Sequence, residues 1–161
     1  MLYVGIDPGS KGAFCFLDGC EASFYKMPKD YSPEKLVEIF RRIKSYGDHR
    51  VIMEKQITKP MVGTKPCPRC KTPIPYRYSQ KGVHTSFTNY GILIGIMYAV
   101  GISFEEVDGT VWKKHFKLEK KGKEGSIKLA KQFFPDSSSD IGADDNKAEA
   151  MLLAEYGKRY C

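Results

Sequence analysis

Three runs of β-forming residues fall within the first 27 positions, separated only by tight turns, and this limits the chain more than any other feature. The runs are "LYVGI" at 2–6, "GAFCFL" at 12–17 and "EASFYKM" at 21–27. The "DPGSKG" and "DGCE" segments between them carry the Asp, Pro and Gly of hairpin turns. Strands joined this way are antiparallel neighbours. The pattern then changes. "YSPEKLVEIFRRIKSYG" at 31–47 predicts a helix, with Ser32 as its cap, Pro33 in its first turn, and Leu36, Ile39, Phe40 and Ile43 at helical spacing. "RVIMEK" at 50–55 predicts a buried strand, and "VHTSFTNYGILIGIMYAVG" at 83–101 a core helix. "ISFEEVDG" at 102–109 predicts a further strand; "TVWKKHFKL" at 110–118 and "KEGSIKLAKQFFP" at 123–135 predict helices, the second stopped by Pro135. "DSSSDIG" at 136–142 reads as a polar linker before a final helix over 143–160. A meander running into strand–helix alternation predicts an α/β domain, a mixed five-stranded sheet flanked by helices. At 161 residues it is one domain, 1–161.

The segment around 57–82 interrupts that domain. It is rich in Pro, Gly, Lys and Thr, has no helical period, and reads as an inserted loop. Its "CPRC" places Cys67 and Cys70 at zinc-knuckle spacing. Zinc takes four ligands and this pair supplies two. His84 would add a third; alternatively, a second copy would supply two more thiolates, making a clasp on a dimer axis. A reduced pair or a disulfide fits the same spacing. Arg69, Tyr76 and Tyr78 nearby suit contact with DNA.

Two predicted strands end in a carboxylate, Asp7 in the first and Glu54 in the fourth. A charge at the end of a buried strand costs free energy unless something compensates it. The last helix adds Asp144, Asp145 and Glu149 before turning apolar through Met151, Leu152 and Leu153. Asp145 and Glu149, four apart, share a helix face, and Asp144 lies on another bearing. Each has an ordinary explanation: Asp7 opens a turn, Asp144 or Asp145 caps the helix, Glu149 faces solvent. Brought together, such groups repel and raise each other's pKa unless a cation offsets them. Their hard oxygens suit Mg2+ or Mn2+, and two such ions, about 3.5–4 Å apart, can drive phosphodiester cleavage.

The charge balance agrees with a polyanionic partner. The formal net charge is +7 and the pI about 9.1. Lysines crowd "WKKHFKLEKKGKEGSIKLAK" at 112–131, a pattern shared by phosphate-binding surfaces and solvated helix faces. No apolar run has the length of a membrane helix, and no secretory leader is visible, so a cytoplasmic, membrane-free setting is expected.

Together, "YVGIDPGSKGAFCFL", "VIMEKQ", "HTSFTNYGILIGIMYAVGISFEEVDGTVWKKHFKL" and "DDNKAEAMLLAEYG" resemble the RuvC-type Holliday junction resolvases, most nearly their phage and prophage branch. The likeness runs end to end apart from the insertion. It implies a ribonuclease H-like fold, a homodimer, and cleavage of four-way DNA junctions with Mg2+ or Mn2+, two ions per site. It places the family's acidic ligands on Asp7, Glu54, Asp145 and Glu149. A spacing of three in the last pair would bring Asn146 into the set instead, and Asp144 is a reserve. The family's basic group near the scissile phosphate falls on Lys113 or Lys114, with Lys114 the candidate for catalysis. Lys117, Lys120 and Lys121 extend the expected DNA surface. An aromatic residue that enters the junction falls on Phe87 or Tyr90, with Phe87 preferred. Trp112 reads as a core anchor.

Two other classes fit parts of the pattern. "GIDPGSKG" alone also suits the phosphate loop of an actin-like or sugar-kinase-type ATPase, although that fold needs two lobes. A DNA-structure binder without catalysis would keep the fold while dispensing with the carboxylates.

Overall fold

The structure is a computed structural model describing residues 1–56, 62–77 and 80–160. Its main sheet contains β1 (Leu2–Asp7), β2 (Ala13–Asp18), β3 (Glu21–Lys26), β4 (His49–Glu54) and β7 (Phe104–Val107), in the order β3-β2-β1-β4-β7. The hairpin-linked strands β1, β2 and β3 pair antiparallel, whereas β4 lies parallel to β1 and β7 parallel to β4. This is the mixed five-stranded sheet expected from the chain order.

The side-chain alternation of β1 sorts the two faces. Leu2, Val4 and Ile6 join Phe14, Phe16, Val51 and Met53 on one face. That face is covered by α1 (Pro33–Ser45), through Leu36, Phe40 and Ile43, and by α2 (Gln80–Val100), through Tyr90, Leu93 and Met97. Ser32 caps α1 by accepting the Lys35 N–H, and Pro33 occupies the first turn. Ala13, Cys15, Leu17 and Ile52 face the other way, against α3 (Gly109–His115), α4 (Gly122–Phe133) and α6 (Asp145–Tyr160). Because β2 is buried on both faces, its sequence is almost continuously apolar.

The backbone of α6 lies directly on β1. A Cβ on Gly5 would stand 1.9 Å from the Ala150 carbonyl oxygen and 2.5 Å from the Ala154 nitrogen. Gly5→Ala must therefore push α6 off the sheet, and a loss of about 3 kcal/mol or more in unfolding free energy is expected on denaturant titration. A variant as stable as the parent would mean that α6 docks elsewhere.

Three elements differ from the sequence expectation. The insertion contains an antiparallel hairpin, β5 (Val62–Pro66) and β6 (Pro73–Arg77), with Cys67 and Cys70 at its turn. Residues 136–142 form a 3-10 turn at Pro135–Ser137 and a short helix α5 (Ser138–Ile141) in place of an unstructured linker. The last helix starts at Asp145, two residues later than read, because the Asp144 side chain caps it. Tyr78 lies outside the described residues, as does the side chain of Tyr76. Among the described residues no helix is long and apolar enough to cross a membrane.

Candidate active site

Asp7 is the last residue of β1 and Glu54 the last of β4. The two strands are parallel neighbours, so both carboxylates leave the sheet at its C-terminal edge, where open α/β sheets form their ligand crevices. By alternation Asp7 shares the face of Gly5, and Glu54 that of Ile52. This is the α6 face, and the first turns of α6 bring Asp145 and Glu149 to the same place. All four carboxylates line one cleft of about 950 Å³. Asn146 lines it too, together with Lys55, Lys113, Lys120 and Lys123, which give an acidic floor a basic rim.

Each acidic side chain is held. The Asp7 Oδ1 accepts the Gly9 N–H at 3.0 Å. Below that turn the buried Tyr31 hydroxyl donates to the carbonyls of Pro8 and Gly9. The Glu54 Oε2 accepts the Trp112 indole N–H at 3.0 Å. A Cβ on Gly109 would lie 2.7 Å from Glu54 Oε1, so the start of α3 closes against this carboxylate. The Glu149 Oε1 accepts from the Ser126 hydroxyl at 3.3 Å, and its Oε2 from Lys113 Nζ at 3.1 Å. Asp145 pairs with Lys123 at 2.5 Å.

Lys113 is the group around which the cluster is arranged. Its ammonium stands 3.1 Å from Glu149 and 3.9 Å from Glu54, and it also favours the charged form of Asp7. Among the described residues no three His, Cys, Asp or Glu side chains converge on one point as around a metal ion; Glu54 and Glu149 meet this amine instead. The donor set nevertheless fits a hard divalent cation, being four carboxylates that only two lysines, Lys113 and Lys123, partly offset. Asp7 shows what the cluster lacks. Burial above all, with Glu149 and Glu54 adding to it, pushes its pKa up to about 6, against the Gly9 N–H and Lys113.

That shift has a measurable sign. An unfolded Asp titrates near 3.8, so between about pH 4 and pH 6 the folded chain keeps a proton the unfolded chain has lost. Without divalent metal, Asp7 therefore makes the fold less stable as pH rises through this window, by about 3 kcal/mol in all. In chelator, the gap in unfolding free energy between Asp7→Asn and the parent should open from pH 4 to 6 and then stay level. A gap constant across the window would contradict the buried setting of Asp7.

The remaining candidates are placed as follows. Asp144 accepts from the backbone N–H of Asn146 and Lys147 and from the Asn146 amide. Burial opposes its ionisation, but these hydrogen bonds outweigh it and hold its pKa below the ordinary value. It caps α6 and lines the neighbouring depression with Asp145 and Asn146, outside the lining of the cleft that holds Asp7, Glu54 and Glu149. Lys114 is exposed and outside the lining, so Lys113, one position earlier, is the lysine at the carboxylates. Tyr90 is corrected as a DNA-facing residue: it is 8% exposed, packs in the core, and donates its hydroxyl to Glu106. Phe87 is 37% exposed on α2. Lys120 lies on the cleft rim, and Lys117 and Lys121 are exposed beyond it. Trp112 is fully buried, as expected of an anchor. The sequence reading missed its bond to Glu54, although a buried indole N–H generally needs an acceptor. It also missed Ser126 and Lys123, which only the docking of α4 brings to Glu149 and Asp145.

No protein-family model and no curated protein sequence matches this chain. Solved structures match its fold. T. thermophilus RuvC in complex with Holliday junction substrate aligns with a TM-score of 0.58 at 12% identity, over 96% of this chain and 90% of that one. The Thermus thermophilus RuvC structure aligns with a TM-score of 0.56 at 13% identity, over 96% and 91%. At such identity the likeness is one of fold: a ribonuclease H-like, RuvC-type arrangement of a mixed five-stranded sheet flanked by helices.

Proposed function

We propose that the chain is a metal-dependent endonuclease acting on branched DNA, resolving four-way junctions by paired nicks as a homodimer. The observation that carries this reading is the gathering of Asp7, Glu54, Asp145 and Glu149 in one basic-rimmed cleft at the C-terminal edge of the sheet. The fold shared with a junction-bound RuvC supports the choice of substrate. The resemblance to the phage branch of that family rests on the sequence motifs.

Asp7, Glu54, Asp145 and Glu149 would hold Mg2+ or Mn2+, which supplies an activated water and charge neutralisation at the phosphate. The chain's own groups do the rest. The Gly9 N–H, the Trp112 indole and the Ser126 hydroxyl fix the orientation of three carboxylates, so little reorganisation is needed when substrate enters. Lys113, beside Glu54 and Glu149, would donate to a phosphoryl oxygen and stabilise charge that grows there in the transition state. Lys55, Lys120 and Lys123 line the path of the backbone. Phe87, exposed on α2, would stack on an unpaired base, worth about 1–3 kcal/mol.

The test is a substrate panel of labelled four-way junction, flap, fork and duplex with Mg2+ and Mn2+. Cleavage of the junction well ahead of duplex supports the reading. Tight junction binding without cleavage would instead favour the non-catalytic binder, and cleavage indifferent to branching would remove the junction.

A further inference from the structure

Among the described residues none of the β5–β6 hairpin lines the cleft, and its turn is built in an unusual way. The Cys67 N–H donates to the Thr72 carbonyl at 2.9 Å, and the Lys71 N–H to the Cys67 carbonyl at 3.0 Å. Lys71 sits at φ 62°, in the left-handed region, where it turns the chain back sharply. As a result Cys67 and Cys70 stand on one closed turn at the tip of the hairpin. Neither cysteine is in a disulfide, and neither is buried. Two cysteines held on one tight, exposed turn supply two corners of a tetrahedral thiolate site.

The chain does not complete the tetrahedron among its described residues. His84, the nearest expectation, pairs its ring with Thr88, and no third His, Cys, Asp or Glu joins the cysteines. The hairpin itself calls for a fastening. Among the described residues its strands pack mainly on each other, not on the main sheet or its helices. A lone two-stranded hairpin is marginal in water.

We infer that Cys67 and Cys70 form half of a structural zinc site, completed by the same two residues of a second copy of this chain. One Zn2+ would then join two hairpins tip to tip through four thiolates. Zinc suits an all-thiolate tetrahedron without redox chemistry. Each bound thiol gives its proton to solvent, leaving the centre with a net charge of two minus, and the exposed Arg69 and Lys71 of both copies offset it. This inference shares the pairing of two copies with the proposed function but not its chemistry, so zinc content and DNA cleavage are read separately.

The test uses the full chain purified in reductant without chelator, with elemental analysis and native mass spectrometry. One zinc per two chains is expected, lost in both Cys67→Ser and Cys70→Ser, with the thermal unfolding of the main domain unchanged. Cobalt loading should give the thiolate-to-metal charge transfer of a four-sulfur site. One zinc per chain would overturn the shared site. A reduced protein that takes up no zinc, or a Cys67–Cys70 disulfide persisting in reductant, would overturn the metal altogether.

Discussion

Asp7→Asn is expected to lower Mg2+-dependent cleavage of a four-way junction by about a thousandfold or more, with junction binding retained. The substitution is close to isosteric. An Asn oxygen can still accept the Gly9 N–H that Asp7 Oδ1 accepts at 3.0 Å, so the turn after β1 should survive. What is lost is a negative charge at the one carboxylate held on the central strand of the sheet, where little movement can make up for it. That charge is also buried beside Glu54 and Glu149, which oppose it. The variant should therefore be more stable than the parent in chelator at neutral pH and yet inactive, a combination that unfolding cannot produce. Single-turnover strand scission, gel-shift binding in chelator and a denaturant titration read the three parts. Full cleavage by the variant would remove Asp7 from the reaction.

The second large effect separates two adjacent lysines. Lys113→Ala should slow cleavage about a hundredfold, the range for removing one preorganised charge donor, whereas Lys114→Ala should change it only a few-fold. Lys113 Nζ lies 3.1 Å from Glu149 and 3.9 Å from Glu54, while Lys114 is exposed outside the cleft. Removing Lys113 also takes away the counter-charge that Glu54 and Glu149 share. The metal-free variant should thus be less stable, and Mg2+ should raise its unfolding temperature more than it raises that of the parent. The opposite ranking of the two lysines would mean that α3 docks with another face toward the carboxylates.

The legibility of these features in the sequence follows from how local their causes are. The β1–β2–β3 meander was readable because turn residues and β-formers alternate over short spans. Asp145 and Glu149 were readable as a pair because a spacing of four fixes one helix face. Lys113 against Lys114 was not, since adjacent helical residues point about 100° apart and only the burial of Trp112 sets the rotation. Tyr90 was misread because α2 is apolar on most sides, and its hydroxyl finds Glu106 on a strand 16 residues further on. The β5–β6 hairpin left no alternation to read, because Pro, Gly, Thr and Lys fill most of its strand positions. Asp144 and Asp145 are chemically alike in the sequence; one caps the helix and the other lines the cleft only because the cap position falls on Asp144.

The most direct measurement follows strand scission and thermal unfolding in one sample of chelator-stripped protein bound to a four-way junction, as Mg2+ is added back. The carboxylate cluster as the cutting centre requires no scission in chelator, then paired nicks in opposed strands that appear over the same Mg2+ range as a rise in unfolding temperature. Scission in chelator, or a Mg2+-stabilised protein on an uncut junction, would contradict it.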